Sequence, residues 1–205
     1  MTARVPLTAE GLLPLLGSRI CHDLISPLGA ISNGLELLQM AGLAGGAEID
    51  LISQSVAAAN AKVKFYRLAF GAGSAQRIAG TEIAALLAEI SSGGRMALRW
   101  QGERDATRAE VKLALLALQC LETAMPWGGT VTLAQAGRDW TITGTAERMK
   151  IDTALWALLD TEVTGSAVET LSAAQVQFGL LALEARLMGR ALDHSIGEGR
   201  IEIRF

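Results

Sequence analysis

The chain contains two histidines, and one of them, His22, sits in a setting suited to nucleophilic chemistry. It opens the run His22-Asp23-Leu24-Ile25-Ser26-Pro27-Leu28, with an acid as its immediate neighbour. A neutral imidazole nitrogen is a good nucleophile. A carboxylate that accepts a hydrogen bond from one ring nitrogen fixes the tautomer and leaves the other free to attack an electrophile such as phosphorus. Asp23 is placed to do this. A histidine beside an acid is, by itself, more often an ordinary polar surface. Here the pair coincides with a helix-interior proline five residues after the histidine. Such a proline costs about 3 kcal/mol, so its presence wants a reason. Pro27 also has no N–H for the carbonyl of Asp23, four residues back, and a local bend is expected there.

The element that must hold His22 is a long helix. Apolar residues recur at Cys21, Leu24, Leu28, Ile31, Leu35 and Leu38 in steps of three and four, a heptad stripe of the kind packed in a bundle. Thr8 is the expected N-cap, with Glu10 in the first turn. In this register His22 lies beside the stripe and faces water, next to Ser18, Ser26, Gly29 and Asn33. Those side chains are small or polar, and with Arg19 they make a candidate docking face for a globular partner. The segment AGLAGGAE, Ala41 to Glu48, breaks the helix. A second stripe follows at Ile49, Ile52, Val56, Ala59, Val63, Tyr66 and Phe70, so the two helices are antiparallel neighbours. The hairpin brings His22 level with the segment around Phe65, which carries Lys62, Lys64 and Arg67. Positive charge there would screen a bound phosphoryl group and attract an acidic partner. A solvated basic face is the equally weighted alternative. Each helix has further apolar residues beside its stripe, such as Ile20 and Leu51. A single hairpin cannot cover them, and a homodimeric four-helix bundle is expected.

After GAGSAQ, Gly71 to Gln76, the texture changes from paired stripes to mixed elements. Helices are expected over Thr81–Ile90, Thr107–Ala124, Ile151–Leu159 and Ser172–Met188, and strands at Met96–Trp100 and Arg200–Phe205. Thr130–Ala136 and Trp140–Thr145 form a hairpin about Gly137-Arg138-Asp139. His194 lacks any reactive context. The fold class is α+β: a helical hairpin over residues 1–72, then a two-layer α/β domain over residues 78–205 with helices on one face of a mixed sheet.

Half of the residues are hydrophobic and 19% are charged, which excludes a disordered chain. A net charge of −3 gives no general basic field for nucleic acid. No apolar run approaches the ~18–20 residues of a spanning helix. The opening MTARVPLTAEGLLPLLG, with Pro6 and Glu10, makes a poor signal peptide. A cytoplasmic protein is expected, binding neither nucleic acid nor membrane. Cys21 and Cys120 lie in apolar helical contexts and are read as small buried hydrophobes, not a disulfide or metal site.

With these residues in place, CHDLISPLGAISNGLELL resembles the H-box of two-component histidine kinases and, more closely, the alphaproteobacterial ChpT-type histidine phosphotransferases. The motif lies within residues 18–38, while the layout is similar over nearly the whole chain. The resemblance implies that His22 is the phospho-accepting residue and Asp23 the acid that orients it. Ser26 then falls where kinases carry a polar residue affecting the reverse, dephosphorylating reaction. The α/β domain resembles the kinase ATPase (Bergerat) fold without its nucleotide site. Where kinases carry two magnesium-ATP asparagines, this chain has Gln119 and Thr123. Their adenine-binding Asp-x-Gly-x-Gly is replaced by Thr145-Ala146-Glu147-Arg148, and their glycine-rich lid shrinks to Phe178-Gly179-Leu180-Leu181. The resemblance therefore implies no cofactor or metal on this chain. Its phosphoryl donor is a phospho-aspartate on the receiver domain of a CckA-like hybrid histidine kinase, and its acceptors are response regulators similar to CtrA and CpdR. Mg2+ would sit in the partner receiver domain. Two alternatives stay open: an ATP-dependent histidine autokinase, and a non-catalytic dimeric adaptor that binds regulators without chemistry. A stand-alone HPt bundle fits less well, because that module has no α/β half.

Overall fold

The structure is a computed structural model that describes residues 9–41, 47–92, 94–102, 104–160 and 171–205. Thr8 and most of the AGLAGGAE connection lie outside the described residues. Helix α1 (Ala9–Ala41) and helix α2 (Ala47–Ala69) pack side by side, with Asp23 level with Lys62 and Tyr66, so the two run antiparallel. α1 continues as a single helix through Pro27. Among the described residues no helix is long and apolar enough to cross a membrane.

Within the hairpin the face that closes on α2 differs from the expected stripe. Pro27 and Gly34, one heptad apart, are buried, whereas Leu28 and Leu35 remain 55% and 49% exposed. On α2 the buried positions are Ser55, Ala61, Phe65, Tyr66, Leu68 and Ala69, while Ile49, Val56 and Val63 stand open. Ile20, expected beside the stripe, packs instead against the core of its own chain. A proline and a glycine let two backbones approach closely, and the large side chains are left for another surface.

The second part is a mixed α+β structure. Two short strands, β1 (Arg77–Ile78) and β3 (Ala106–Thr107), pair antiparallel and frame α3 (Gly80–Ser92) and β2 (Met96–Gly102). α4 (Arg108–Ala124) starts on a capping box, in which Thr107 Oγ1 accepts from the Glu110 amide and the Glu110 carboxylate accepts from the Thr107 amide. Then come β4 (Gly129–Ala136) and β5 (Asp139–Thr145) with Gly137 at φ +64° in the turn, a conformation that favours glycine. α5 (Thr153–Trp156) runs into a 3₁₀ turn, and a second 3₁₀ turn at Ala173–Gln175 leads into α6 (Val176–Leu187). β6 (Asp193–Gly197) and β7 (Arg200–Arg204) close the sheet, whose order is β2-β4-β5-β7-β6, parallel only between β2 and β4.

The parallel pair needs a crossover, and α4 is that crossover. Every residue from Val111 to Leu121 is buried, so α4 is the centre of the molecule. The sheet's inner face presents Trp100, Leu133, Ile142 and Ile203 in register. Its outer face carries Arg99, Thr132, Thr143 and Glu202. α4 packs against this sheet on one side and against α2 and α6 on the other. Helical hairpin and α/β part are therefore continuous: Phe65, Leu68 and Ala69 belong to the same core as α4.

Candidate phosphotransfer site

His22 projects from the middle of α1 with 86% of its side chain exposed. Ser26, Gly29 and Asn33 are exposed too, and a methyl group added at Gly29 would meet nothing within 4 Å. The side chain of Ser18 lies outside the described residues. The imidazole is thus open to an approaching domain.

Behind it, Asp23 is held from three sides. Its Oδ1 lies 3.1 Å from His22 Nδ1, and its Oδ2 accepts from Arg19 Nε at 2.6 Å and from the Tyr66 hydroxyl. Burial pushes the Asp23 carboxyl up, but the hydrogen bonds from Tyr66, Arg19 and His22 more than offset it and hold it below the usual aspartate value. Burial and the neighbouring Asp23 together push the Tyr66 phenol well up, so it stays a donor. An ionised carboxylate only accepts, so the nitrogen facing it must be the protonated one. Nδ1 is thus the donor to Asp23, and Nε2 of the exposed ring is left unengaged by that carboxylate.

The three expected cations are placed differently from one another. Lys62 Nζ donates to the main-chain carbonyl of Asp23 at 2.9 Å. That is the carbonyl Pro27 cannot serve, so an α2 side chain supplies the missing donor one turn past the histidine. Lys64 turns away to a bidentate pair with Glu89 of α3, at 2.8 Å and 2.9 Å, and is not beside the imidazole. Arg67 is exposed near the end of α2. Arg19, expected on the docking face, instead turns inward: besides Asp23 it donates through Nη1 to the Ala174 carbonyl at 2.9 Å.

Two residues of this site were not singled out in the sequence. Tyr66 was placed on the core stripe, but it is the chain's sole tyrosine, and a buried phenol needs a partner. The other is Glu122 of α4. It lines a cavity of about 410 Å³ between α2, α3, β2 and α4, together with Lys62, Glu89, Arg95 and Met125. Burial pushes its carboxyl up to about 7, with Asp23 adding to the rise and Arg19 and Lys62 opposing it.

That shift sets a pH dependence of stability. In the unfolded chain Glu122 loses its proton near the ordinary value of 4.5, whereas in the fold it keeps it to about 7. Stability therefore falls as pH rises through this window, and the full penalty is present above it. Glu122→Gln is expected to melt with wild type at pH 5 and several degrees higher at pH 8, measured by calorimetry. Equal melting at both pH values would refute a partly buried acid that resists ionisation. Asp23 works in the opposite sense, and its contribution is lost only in more acidic solution.

In the α/β part, the groups that the resemblance sets against kinase nucleotide residues are engaged with their own fold. Gln119 is buried, Thr123 donates to the Gln119 carbonyl at 3.0 Å, and Gln177 Nε2 donates to Thr123 Oγ1 at 2.7 Å. Leu12 of α1, 1% exposed, sits against Gly179, where an added Cβ would come within 2.9 Å of its Cδ2. His194 lies on β6 against the Trp156 ring, away from His22. Cys120 is buried in α4 as a small hydrophobe, and burial pushes its thiol well up.

Residues 80–200 match the family model described as the histidine phosphotransferase C-terminal domain. Over 145 residues the sequence is 42% identical to the protein phosphotransferase ChpT of Brucella abortus (strain 2308), an alignment covering 68% of each chain. The 1.7 Å structure of a bacterial phosphotransferase superposes with a TM-score of 0.80 at 31% identity, covering 98% of both chains.

Proposed function

We propose that this chain, which belongs to the ChpT-type histidine phosphotransferase family, carries a phosphoryl group on His22 as an intermediate of a bacterial phosphorelay. The observation that carries the reading is an open imidazole whose Nδ1 faces an ionised, three-fold-anchored carboxylate. The Nε2 lone pair attacks the phosphorus of an aspartyl phosphate on a docked receiver domain. The P–N bond forms, the P–O bond to the donor breaks, and the donor leaves as a carboxylate. Positive charge developing on the ring is stabilised by Asp23 through the Nδ1 proton. The second half-reaction reverses these steps onto the aspartate of a response regulator. Mg2+ belongs to the receiver's acidic pocket, and positioning across the interface does most of the catalytic work.

In this proposal Asp23 orients the imidazole, and Ser26, exposed one turn on, bears on the reverse reaction. Ser18, Gly29 and Asn33 form the face a receiver domain meets, with Arg67 at its edge. Lys62 and Arg19 act through Asp23. Residues 1–72 serve phosphotransfer and dimerisation, and residues 78–205 form an ATPase-like domain that has lost its nucleotide site. The Gln177–Thr123 bond and the packing of Leu12 on Gly179 support that loss, because both fill space and hydrogen-bonding capacity a nucleotide would need. Donor and acceptors are a CckA-like hybrid kinase and regulators similar to CtrA and CpdR, met in the cytoplasm.

The test is to mix the protein with a receiver domain carrying labelled phosphoryl, and separately with labelled ATP and magnesium. Acid-labile, base-stable label is expected from the receiver and none from ATP. Labelling from ATP alone would make the chain an autokinase. Receiver binding without any label transfer would make it an adaptor.

A further inference from the structure

Arg19 is the one described side chain of α1 that hydrogen-bonds both to Asp23 and to the α/β part of the molecule. Its planar fork uses Nε on the carboxylate and Nη1 on the Ala174 carbonyl, at 2.6 Å and 2.9 Å. The Ala174 carbonyl is not a free loop atom. Gln177 Nε2 donates to it at 3.0 Å while also donating to Thr123 Oγ1 at 2.7 Å. Gln177 is 1% exposed, and its Oε1 makes no hydrogen bond, so the side chain's polar bonding is spent on these two acceptors. A continuous series of bonds thus runs from α4 through the start of α6 to Arg19, then Asp23, then the imidazole. The packing agrees with it: the seat of Leu12 on Gly179 sets α1 against α6 about two turns before Arg19.

We infer that Gln177, the Ala174 carbonyl and Arg19 are positioning groups through which the α/β domain holds Asp23, and so sets the tautomer of His22. This deepens the phosphotransfer reading and rests on it for its consequence. The degenerate domain then has a use besides docking. The start of α6, tied to α4 through Gln177, anchors the group that orients the nucleophile. Without the anchor Arg19 would follow the solvent-exposed helix surface, and Asp23 would keep only Tyr66 as a fixed partner besides the ring itself.

The experiment reads the ring directly, by ¹⁵N imidazole NMR on the full chain, alongside transfer kinetics from a phosphorylated receiver. Gln177→Met keeps length and apolar contact but removes both donors. It is expected to raise the Nε2–H tautomer of His22 by roughly threefold or more and to slow transfer about threefold to tenfold, with the KM for the receiver unchanged. Arg19→Lys keeps the cation but not the fork, and the same direction of change is expected. It also decides the matter alone if Gln177→Met fails to fold. A wild-type imidazole spectrum in the folded variants overturns the inference. Failure of the phosphotransfer reading is told apart from this, because it appears as absence of transfer in wild type whatever the tautomer.

Discussion

His22→Ala is expected to accept no phosphoryl group from a phosphorylated receiver while unfolding within about 0.5 kcal/mol of wild type. The first half follows from the site, where the other groups on the Asp23 carboxylate are the Arg19 cation and the buried Tyr66 hydroxyl, and the imidazole is the exposed nucleophile. The second half follows from exposure. With 86% of its side chain in water and Asp23 as its hydrogen-bond partner, the imidazole contributes little to packing. Alanine is also the better helix former. Asp23 keeps Arg19 and Tyr66, so no buried group is left without a partner. Label counting and thermal unfolding on the same preparation check both halves. A labelled variant would move the acceptor elsewhere, and a drop of several kcal/mol would make the histidine structural.

How much of this was legible in the sequence depended on the range of the interaction. The long helices were legible because apolar residues recur at helical spacing in α1 and α2 and run almost unbroken in α4, although which face closes the hairpin was not. The adjacency of His22 and Asp23 is local, and so was their pairing. β6 was missed because it is an edge strand: only His194 and Ile196 face inward along Asp193–Gly197, which is too few to show alternation. The short β1–β3 pair was missed for the same reason of length.

The site's second layer was hidden for another reason. That α2 would stand beside His22 followed from hairpin geometry, but which way each lysine turns did not. Lys62 goes to the Asp23 carbonyl and Lys64 to Glu89, although the two are separated by one residue. Pro27 posed the question of an unserved carbonyl, and only tertiary structure shows that a lysine answers it. Glu122 is set by four elements from distant parts of the chain, and no spacing rule encodes such a meeting. Sequence thus exposed the nucleophile and its immediate partner, while the groups that hold the partner emerged from packing.

Leu35→Glu combined with Val56→Glu is expected to convert the proposed dimer into a stable monomer. Along α1 the hairpin leaves Leu28 and Leu35 uncovered, and along α2 it leaves Ile49, Val56 and Val63, each row stepping by seven. A heptad row on each helix, open on a hairpin whose inner face is already closed by Pro27 and Gly34, is what two more helices would cover. A second copy of the chain supplies an identical pair of rows, which a two-fold axis makes self-complementary. The double variant would place four carboxylates in that apolar seam, two from each protomer. Each costs several kcal/mol to desolvate, so dissociation should rise by at least about a thousandfold. In the separate hairpin both positions face water, and the fold itself is left intact. Sedimentation at several protein concentrations reads the mass, and circular dichroism reads the helices. If wild type sediments as a monomer, or the doubly charged variant keeps the wild-type mass, the open rows serve something other than a second copy, and the four-helix bundle must be given up.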